Sequence, residues 1–478
     1  MGITIVGLGP GDGRFLTREA WKILAGAEKV YLRTMRHPAA ADLPAGVAQV
    51  SFDDLYDTAV SFAAVYEQIV TQLLADGRSQ NIIYAVPGHP FVGESTVTRL
   101  VQLAEVEGVP VRVVAGLSFV EPALTAVQAD GLDGLQLFDA IELTQYLYPP
   151  LNPDYPALLG QVYSRLLAGE LKLRLNRLYP DEHPVTLIHA AGNEDEVVEH
   201  IPLYAIDRSP QIDHLTSLYL PPLPQASSLA ALAETVAVLR SPNGCPWDQE
   251  QTPQSMRAGF LEEAAEVMAA LDANDPAELR EELGDLLYHV VMQAQMAAEA
   301  EEFTLAQVIA GIEAKLKYRH PHVWGDWQVA DSDEVVQNWE ALKQTEKNRQ
   351  PNSTLDNVPA ALPALARSQK IQKRVSKVGF DWPDISGVYA KLDEEIRELK
   401  AAQTVAERAD ELGDVLFVLA NVAKWLGVDA ESALREANLK FTRRFQGVER
   451  LARQRDIDMT QLSLDELDVL WREVKNGG

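Results

Sequence analysis

Two styles of hydrophobic patterning divide the chain. In its first half, short β-branched runs alternate with helical stretches and turns: ITIVGLG (3–9), KVYLR (29–33), NIIYAVPG (81–88), VRVVAG (111–116) and VTLIHAAG (185–192). Runs of this length, bounded by Gly and Pro and interleaved with helical spacing, predict an α/β architecture. In the second half β runs nearly vanish. Long segments rich in Ala, Leu, Glu, Lys and Arg place apolar residues at helical spacing, which predicts an all-α region. Residues 214–233 carry no Asp, Glu, Lys or Arg, but Pro221, Pro222 and Pro224 interrupt them. Prolines break a helix, so this segment reads as a strand end and a Pro-rich linker rather than a membrane span. The expected organisation is an α/β half over 1–222 (subdomains about 1–115 and 116–222), a linker over 223–228, a helical domain over 229–345, a linker over 346–362 and a second helical domain over 363–478. Pro351, Pro359 and Pro363 mark the join between the helical domains.

The helical half repeats itself. LEEAAEVMAALDANDPAELREELGDLL (261–287) and LDEEIRELKAAQTVAERADELGDVL (392–416) share E-E-x-x-E, a short gap and E-L-G-D before apolar residues. Glu266 aligns with Glu398, and Asp285 with Asp414. Glu263 and Glu266 are three apart on one helix, and Glu282 and Asp285 three apart on the next, so each pair shares a face. Asp275 is placed to cap the second helix, with Pro276 at its first position. Apolar stripes, Leu261, Ala265, Met268 and Leu271 facing Leu283, Leu286 and Leu287, are expected to pack the two helices together, with Gly284 allowing close approach. Four carboxylates would then converge. Such a cluster repels itself unless cations sit within it, and hard oxygen donors suit Mg²⁺. Two such ions can support hydrolysis of a phosphoanhydride. One E-x-x-E alone is most often a solvated helix face, but a solvated face has no reason to repeat Gly between Leu and Asp.

These motifs resemble the MazG nucleoside triphosphate pyrophosphohydrolases. The flanks agree: GCPWDQEQTPQSM (244–256) and KLKYRHPHVWGD (315–326) around the first copy, KVGFDW (377–382), ANLKFTRRF (437–445) and LDELDVLWREVK (464–475) around the second. The resemblance covers about residues 229–478. It implies two all-α domains, typically dimeric, that hydrolyse nucleoside triphosphates to the monophosphate and pyrophosphate with Mg²⁺. It implies metal ligands at Glu263, Glu266, Glu282 and Asp285 in the first copy, and at Glu395, Glu398, Glu411 and Asp414 in the second. Glu262 and Glu394 would support the shell or orient water. Lys440, Arg444, Trp471 and Lys475 match the family's nucleotide-binding positions. Lys440 and Arg444, four apart, can meet phosphate oxygens from one helix face, and Trp471 can stack on a base or serve as a core aromatic. The first copy lacks a K-F-x-R-R-F segment, with Lys315, Lys317 and Arg319 as substitutes, so the expectation of catalysis rests on the second copy.

In the first half, Gly7, Gly9 and Gly11 (GLGPGDG) permit a tight turn after a strand. Asp12 stands where a dinucleotide fingerprint needs its last Gly, which argues against an NAD(P) oxidoreductase. With YAVPGHP (84–90), VVAGLSFVEPAL (113–124) and VTLIHAAGN (185–193), the series resembles the tetrapyrrole methylases, the class III S-adenosylmethionine-dependent methyltransferases. The resemblance covers about residues 1–222 and implies two α/β subdomains with the cofactor in the cleft between them. Gly7, Gly9 and Gly11 would line a substrate trough, with Gly88 and Ser118 near S-adenosylmethionine. Two departures, His89 where many members have Asp and Ala115 where P-G is usual, argue against a tetrapyrrole acceptor. The alternative is a non-catalytic sensing or docking module. The whole resembles bacterial fusions of a tetrapyrrole methylase with tandem MazG domains.

Composition narrows the partners. Of 478 residues, 42 are Lys or Arg and 70 are Asp or Glu, giving a net charge of −28. No basic excess is available to neutralise nucleic-acid phosphates. Cys245 is the sole cysteine, which fits a reducing compartment. The N-terminus lacks the basic and long apolar regions of a signal peptide. The expected protein is cytoplasmic, binds neither nucleic acid nor membrane, acts on nucleoside triphosphates and forms a homodimer.

Overall fold

The run ITIVG forms an interior strand of a parallel sheet because, unlike an amphipathic strand, it carries apolar residues on both faces. In the computed structural model β1 (Gly2–Gly7), β2 (Lys29–Leu32), β3 (Ala48–Ser51), β4 (Asn81–Val86) and β5 (Val111–Val114) pair in the order β3-β2-β4-β1-β5, all parallel. Ile3, Ile5, Tyr84 and Val86 pack into one hydrophobic cluster with Ile69, Leu73 and Leu100 of the covering helices, while Val6, Leu32, Ala85 and Val114 pack into another. Helices on both faces explain why alternation is missing from these strands.

A second sheet follows: β6 (Gln136–Asp139), β7 (Ala157–Gly160), β8 (Pro184–His189), β9 (Val197–Pro202) and β10 (Thr216–Leu220), in the order β6-β7-β10-β8-β9. Only β6 and β7 run parallel; the other neighbours are antiparallel. The expected two-lobed α/β half is thus present, with a mixed second sheet. After β10 the chain is strapped to this lobe. Asp154 accepts hydrogen bonds from the backbone N–H groups of Ser227 (2.7 Å) and Ser228 (3.1 Å), and Ser228 caps the helix Leu229–Arg240.

The structure describes residues 1–58, 61–345, 353–356 and 358–477. Residues 346–352, with Pro351, and residue 357 of the expected linker 346–362 lie outside them. The chain divides into two compact units, Met1–Gln251 and Thr252–Gly478. The second unit is helical throughout its described residues, apart from turns. Among the described residues no helix is long and apolar enough to cross a membrane.

Each acidic copy is an antiparallel-type helix pair joined by a short turn: Arg257–Ala273 with Pro276–Glu299, and Ile385–Ala401 with Val405–Trp425. Asp275 caps as its sequence position predicts, accepting from Ala277 N–H and Glu278 N–H with Pro276 following. In the second copy Thr404 and Glu407 form a reciprocal capping box.

The apolar stripes behave differently from expectation. Leu261 is 64% exposed, Leu271 51% and Leu283 49%, so they do not form the seam between the helices. The buried positions of the first pair are instead Ala270, Glu282, His289, Val291, Met292, Ala294, Met296 and Ala297. Gly284 is not a close-approach position either. A Cβ there, or at Gly413 in the second copy, would meet nothing within 4 Å. One carboxylate of each pair, Glu282 or Glu395, is buried, while Leu261, Leu271 and Leu283 face outward.

Candidate functional site

In the second copy, two groups of carboxylates share one residue. Oxygens of Glu394, Glu395 and Glu398 lie within 4.8 Å of one another, as do those of Glu395, Glu411 and Asp414. Glu395 is only 4% exposed and stands at the centre. Burial and the charges of Glu398, Glu395 and Asp414 push the Glu411 carboxyl above the ordinary range. One cation was not anticipated from sequence. Lys391 Nζ lies 2.7 Å from Glu394 Oε1 and 2.6 Å from Glu395 Oε1. These hydrogen bonds hold its ammonium firmly protonated. The signal was available: Lys391 precedes Glu394 by three and Glu395 by four positions, the spacing of facing side chains.

In the first copy Glu263, Glu266 and Glu282 converge within the same limit. Glu282 is nearly buried, and both Glu266 and Glu282 are raised above the ordinary range, first by desolvation and then by neighbouring carboxylates. Asp285 acts on both electrostatically. Glu262 is exposed on the same helix. Carboxylates raised by one another fit a hard divalent cation, which would restore their charge and take oxygen donors. Glu263, Glu266 and Glu282 would hold it in the first copy, and Glu395, Glu398, Glu411 and Asp414 in the second.

The basic and aromatic positions gather elsewhere in the second unit. Arg444 Cζ lies 5.9 Å from the Trp471 ring centroid, and Phe441 packs on the same ring at 5.1 Å. Trp471 leans on a cluster of Val448, Ala452 and Leu470, so one of its faces is committed to packing. Lys440 and Lys475 are exposed on the helices Ala430–Gln454 and Leu464–Gly477. Among the described residues no hydrogen bond or ion pair joins this group to the carboxylates. Lys317 is paired with Glu313 at 2.6 Å on its own helix, while Lys315 and Arg319 lie on that helix as well.

The first unit has its own site, a cavity of about 710 Å³ between its two sheets. That is the size of a pocket for one drug-sized ligand. Arg36, His37, Gly88, Gln161, Ala190 and Thr216 are among its walls. Gln161 and Ala190 directly follow β7 and β8 and have positive φ, 63° and 47°. Backbone held there by a non-Gly residue is costly and clusters at ligand sites. Also in the wall, buried Glu94 pairs with Arg33, which donates to the Tyr56 hydroxyl as well.

The glycine loop supports this cavity more than it lines it. Gly9 and Gly88, at φ 80° and 63°, pair through Gly88 N–H to Gly9 O at 2.8 Å and Gly9 N–H to Gly88 O at 3.2 Å. A Cβ at Gly7 would stand 2.6 Å from Gly88 O, and one at Gly11 would strike Asn193. Of the expected cofactor residues, Gly88 lines the cavity, whereas Gly7, Gly9 and Gly11 are buried beside it. Ser118 is buried, donating its hydroxyl to Glu121 at 2.7 Å. His37, missed from sequence, is 9% exposed and lines the cavity. Its ring bonds the Gly9 backbone while Nδ1 is buried without a partner, and burial lowers its pKa to about 4. A cavity of this size, walled by His37, Gly88 and the strained turns at Gln161 and Ala190, fits a small ligand such as S-adenosylmethionine.

Comparison with known proteins agrees with this division. Residues 2–207 match the Tetrapyrrole (Corrin/Porphyrin) Methylases, residues 251–324 the MazG nucleotide pyrophosphohydrolase domain, and residues 368–440 the Phosphoribosyl-ATP pyrophosphohydrolase family. Over 482 residues the chain is 39% identical to Uncharacterized protein YabN of Bacillus subtilis, covering 99% of this chain and 98% of that one. Over 244 residues it is 46% identical to a Nucleoside triphosphate pyrophosphohydrolase of Escherichia coli, covering 50% of this chain and 93% of the relative. A Nucleoside triphosphate pyrophosphohydrolase/pyrophosphatase MazG of Thermotoga maritima is 40% identical over 246 residues, 52% of this chain and 95% of that protein. The chain therefore belongs to the family that joins a tetrapyrrole-methylase domain to a tandem MazG nucleotide pyrophosphohydrolase region.

Proposed function

We propose that the protein is a Mg²⁺-dependent nucleoside triphosphate pyrophosphohydrolase, releasing the monophosphate and pyrophosphate, with its principal catalytic centre in the second acidic copy. The observation that carries this reading is the pair of carboxylate groups sharing Glu395. Divalent cations bound there would neutralise the triphosphate and favour water as a nucleophile. Glu395, Glu398, Glu411 and Asp414 hold the charge of such ions. Glu394, outside that set, would support the shell or orient water. Lys391 is a fixed ammonium beside the same oxygens, ready to meet phosphate when its carboxylate partners turn to a cation. Lys440, Arg444, Trp471 and Lys475 would receive the rest of the nucleotide. The names of the Escherichia coli and Thermotoga maritima relatives support this substrate class.

The outward-facing leucines favour a homodimer. Leu283 and Leu287 in one copy, and Leu412 and Leu416 in the other, are 43–49% exposed along the acidic helices. Burying them against a second chain, beside the open Gly284 and Gly413, would complete helical bundles around both carboxylate sets. The expected location is the cytoplasm.

The cavity of the first unit favours a second activity or a sensor, with S-adenosylmethionine as its ligand. The strained backbone at Gln161 and Ala190 argues for a ligand site rather than a packing defect. Calorimetry with S-adenosylmethionine tests it, and binding without methyl transfer to any acceptor favours the sensing module.

The first experiment is incubation of the full-length protein with NTPs and dNTPs plus Mg²⁺, with products read by phosphorus NMR. Monophosphate and pyrophosphate, abolished by chelator, support the assignment. Diphosphate and orthophosphate would refute the bond assignment, and no turnover would refute the hydrolase.

A further inference from the structure

The two acidic helix pairs differ at one end, where two residues have been exchanged together. Lys391 of the second copy aligns with Gly259 of the first, and Val418 aligns with His289. In the second copy the Lys391 ammonium fills that end. In the first copy no side chain grows from position 259, and the space is taken by the His289 ring. A Cβ at Gly259 would stand 2.9 Å from His289 Cε1 and 3.1 Å from Nε2. His289 is 6% exposed.

Its nitrogens are unsatisfied. Nδ1 is buried with no hydrogen-bond partner, and Nε2 stands 3.9 Å from Glu263 Oε1, beyond hydrogen-bonding reach. Glu282, Asp285 and His289 sit at i, i+3 and i+7 of one helix, a single stripe facing the acidic helix. Two ligand atoms, each about 2.1 Å from one ion, can be up to about 4.2 Å apart. The 3.9 Å between Nε2 and Oε1 lies inside that span.

We propose that the first acidic pair is a mixed nitrogen–oxygen metal site, in which His289 Nε2 joins Glu263 and its carboxylate neighbours to take a transition-series divalent cation in preference to Mg²⁺. The inference rests on reading this pair as a metal site. Its physical basis is ligand softness: imidazole favours first-row transition ions, whereas carboxylates and water suit Mg²⁺. The second pair, with Lys391 where the imidazole would be, keeps an all-oxygen donor set.

The test uses the full chain carrying Glu398→Gln and Asp414→Asn, so that the first pair is the intact acidic site. Mn²⁺ binding is followed by the electron-spin resonance of the free ion, and Mg²⁺ binding by calorimetry. Mn²⁺ should bind at least about tenfold more tightly than Mg²⁺. Spin-echo spectra of the bound Mn²⁺ should show nitrogen modulation, and adding His289→Gln should abolish it and weaken Mn²⁺ by at least about tenfold. Bound Mn²⁺ without nitrogen modulation overturns the proposal, and so does unchanged Mn²⁺ affinity in a folded His289→Gln protein. The modulation is read before His289 is altered, so a misfolded variant does not rescue the idea. Mn²⁺ binding that is absent, or that Glu263→Gln leaves intact, overturns the metal-site reading of the first pair itself. Hydrolysis by the unaltered protein with Mg²⁺ is a separate measurement that neither result decides.

Discussion

Lys391 Nζ lies 2.6 Å from Glu395 Oε1 one turn along the same helix, so the carboxylate shared by both groups of the second acidic pair carries its own counter-charge. Among the described residues no Lys or Arg ion pair occupies the equivalent end of the first pair, where Gly259 and His289 meet. Two copies of one motif thus present different electrostatics to the same class of ligand.

Lys391→Met should therefore act on substrate more than on turnover. Removing one charge-assisted phosphate contact should raise KM by about tenfold with a smaller change in kcat. Steady-state kinetics with the best NTP reads the split. A fall in kcat at constant KM would place Lys391 outside substrate binding.

Glu398→Gln and Asp414→Asn, made singly, should each lower NTP hydrolysis by at least about 100-fold, because each removes a charge that the divalent ions need. Far-ultraviolet circular dichroism should be unchanged, since both side chains lie at a helix surface. Full activity in both variants would move catalysis away from the second copy.

Burial and neighbouring carboxylates raise Glu266, Glu282 and Glu411. The metal-free folded chain then keeps protons that the unfolded chain has already released as pH rises. The resulting penalty is absent in acid, grows as pH climbs through and above the ordinary carboxylate range, and is complete once pH passes the raised values. A bound cation cancels it. Mg²⁺ should raise the melting temperature of the helical unit by several degrees at pH 8 and by little near pH 4.5. Equal shifts at both values would remove these carboxylates from the binding.

His37 titrates in the opposite sense. Its folded value of about 4 lies below the ordinary 6.5, so the unfolded chain takes up a proton first as pH falls. Stability is present above about pH 6.5, declines toward pH 4 and is level below it, an effect on the order of 3 kcal/mol. His37→Gln should flatten that slope in denaturant titrations of the N-terminal unit. An unaltered slope would mean the ring is not buried as a neutral base. S-adenosylmethionine affinity of the same variant, measured by calorimetry, reports whether the free Nδ1 faces a ligand.

The chain alone determined the α/β-then-helical order, the duplicated acidic helix pair and the cap at Asp275, because these depend on periodicity and on spacings of three or four residues, which are local. Tertiary structure decided what spacing does not encode. Leu261, Leu271 and Leu283 face outward and Gly284 meets open space, since which stripe is buried depends on what packs against it. Glu395 became common to two carboxylate groups only when two helices closed on each other. His37 and the strained turns at Gln161 and Ala190 belong to one cavity because two sheets, far apart in sequence, present their strand ends to the same space. His289 came to matter because position 259 has no side chain, a dependence between two helices that no single helical pattern carries.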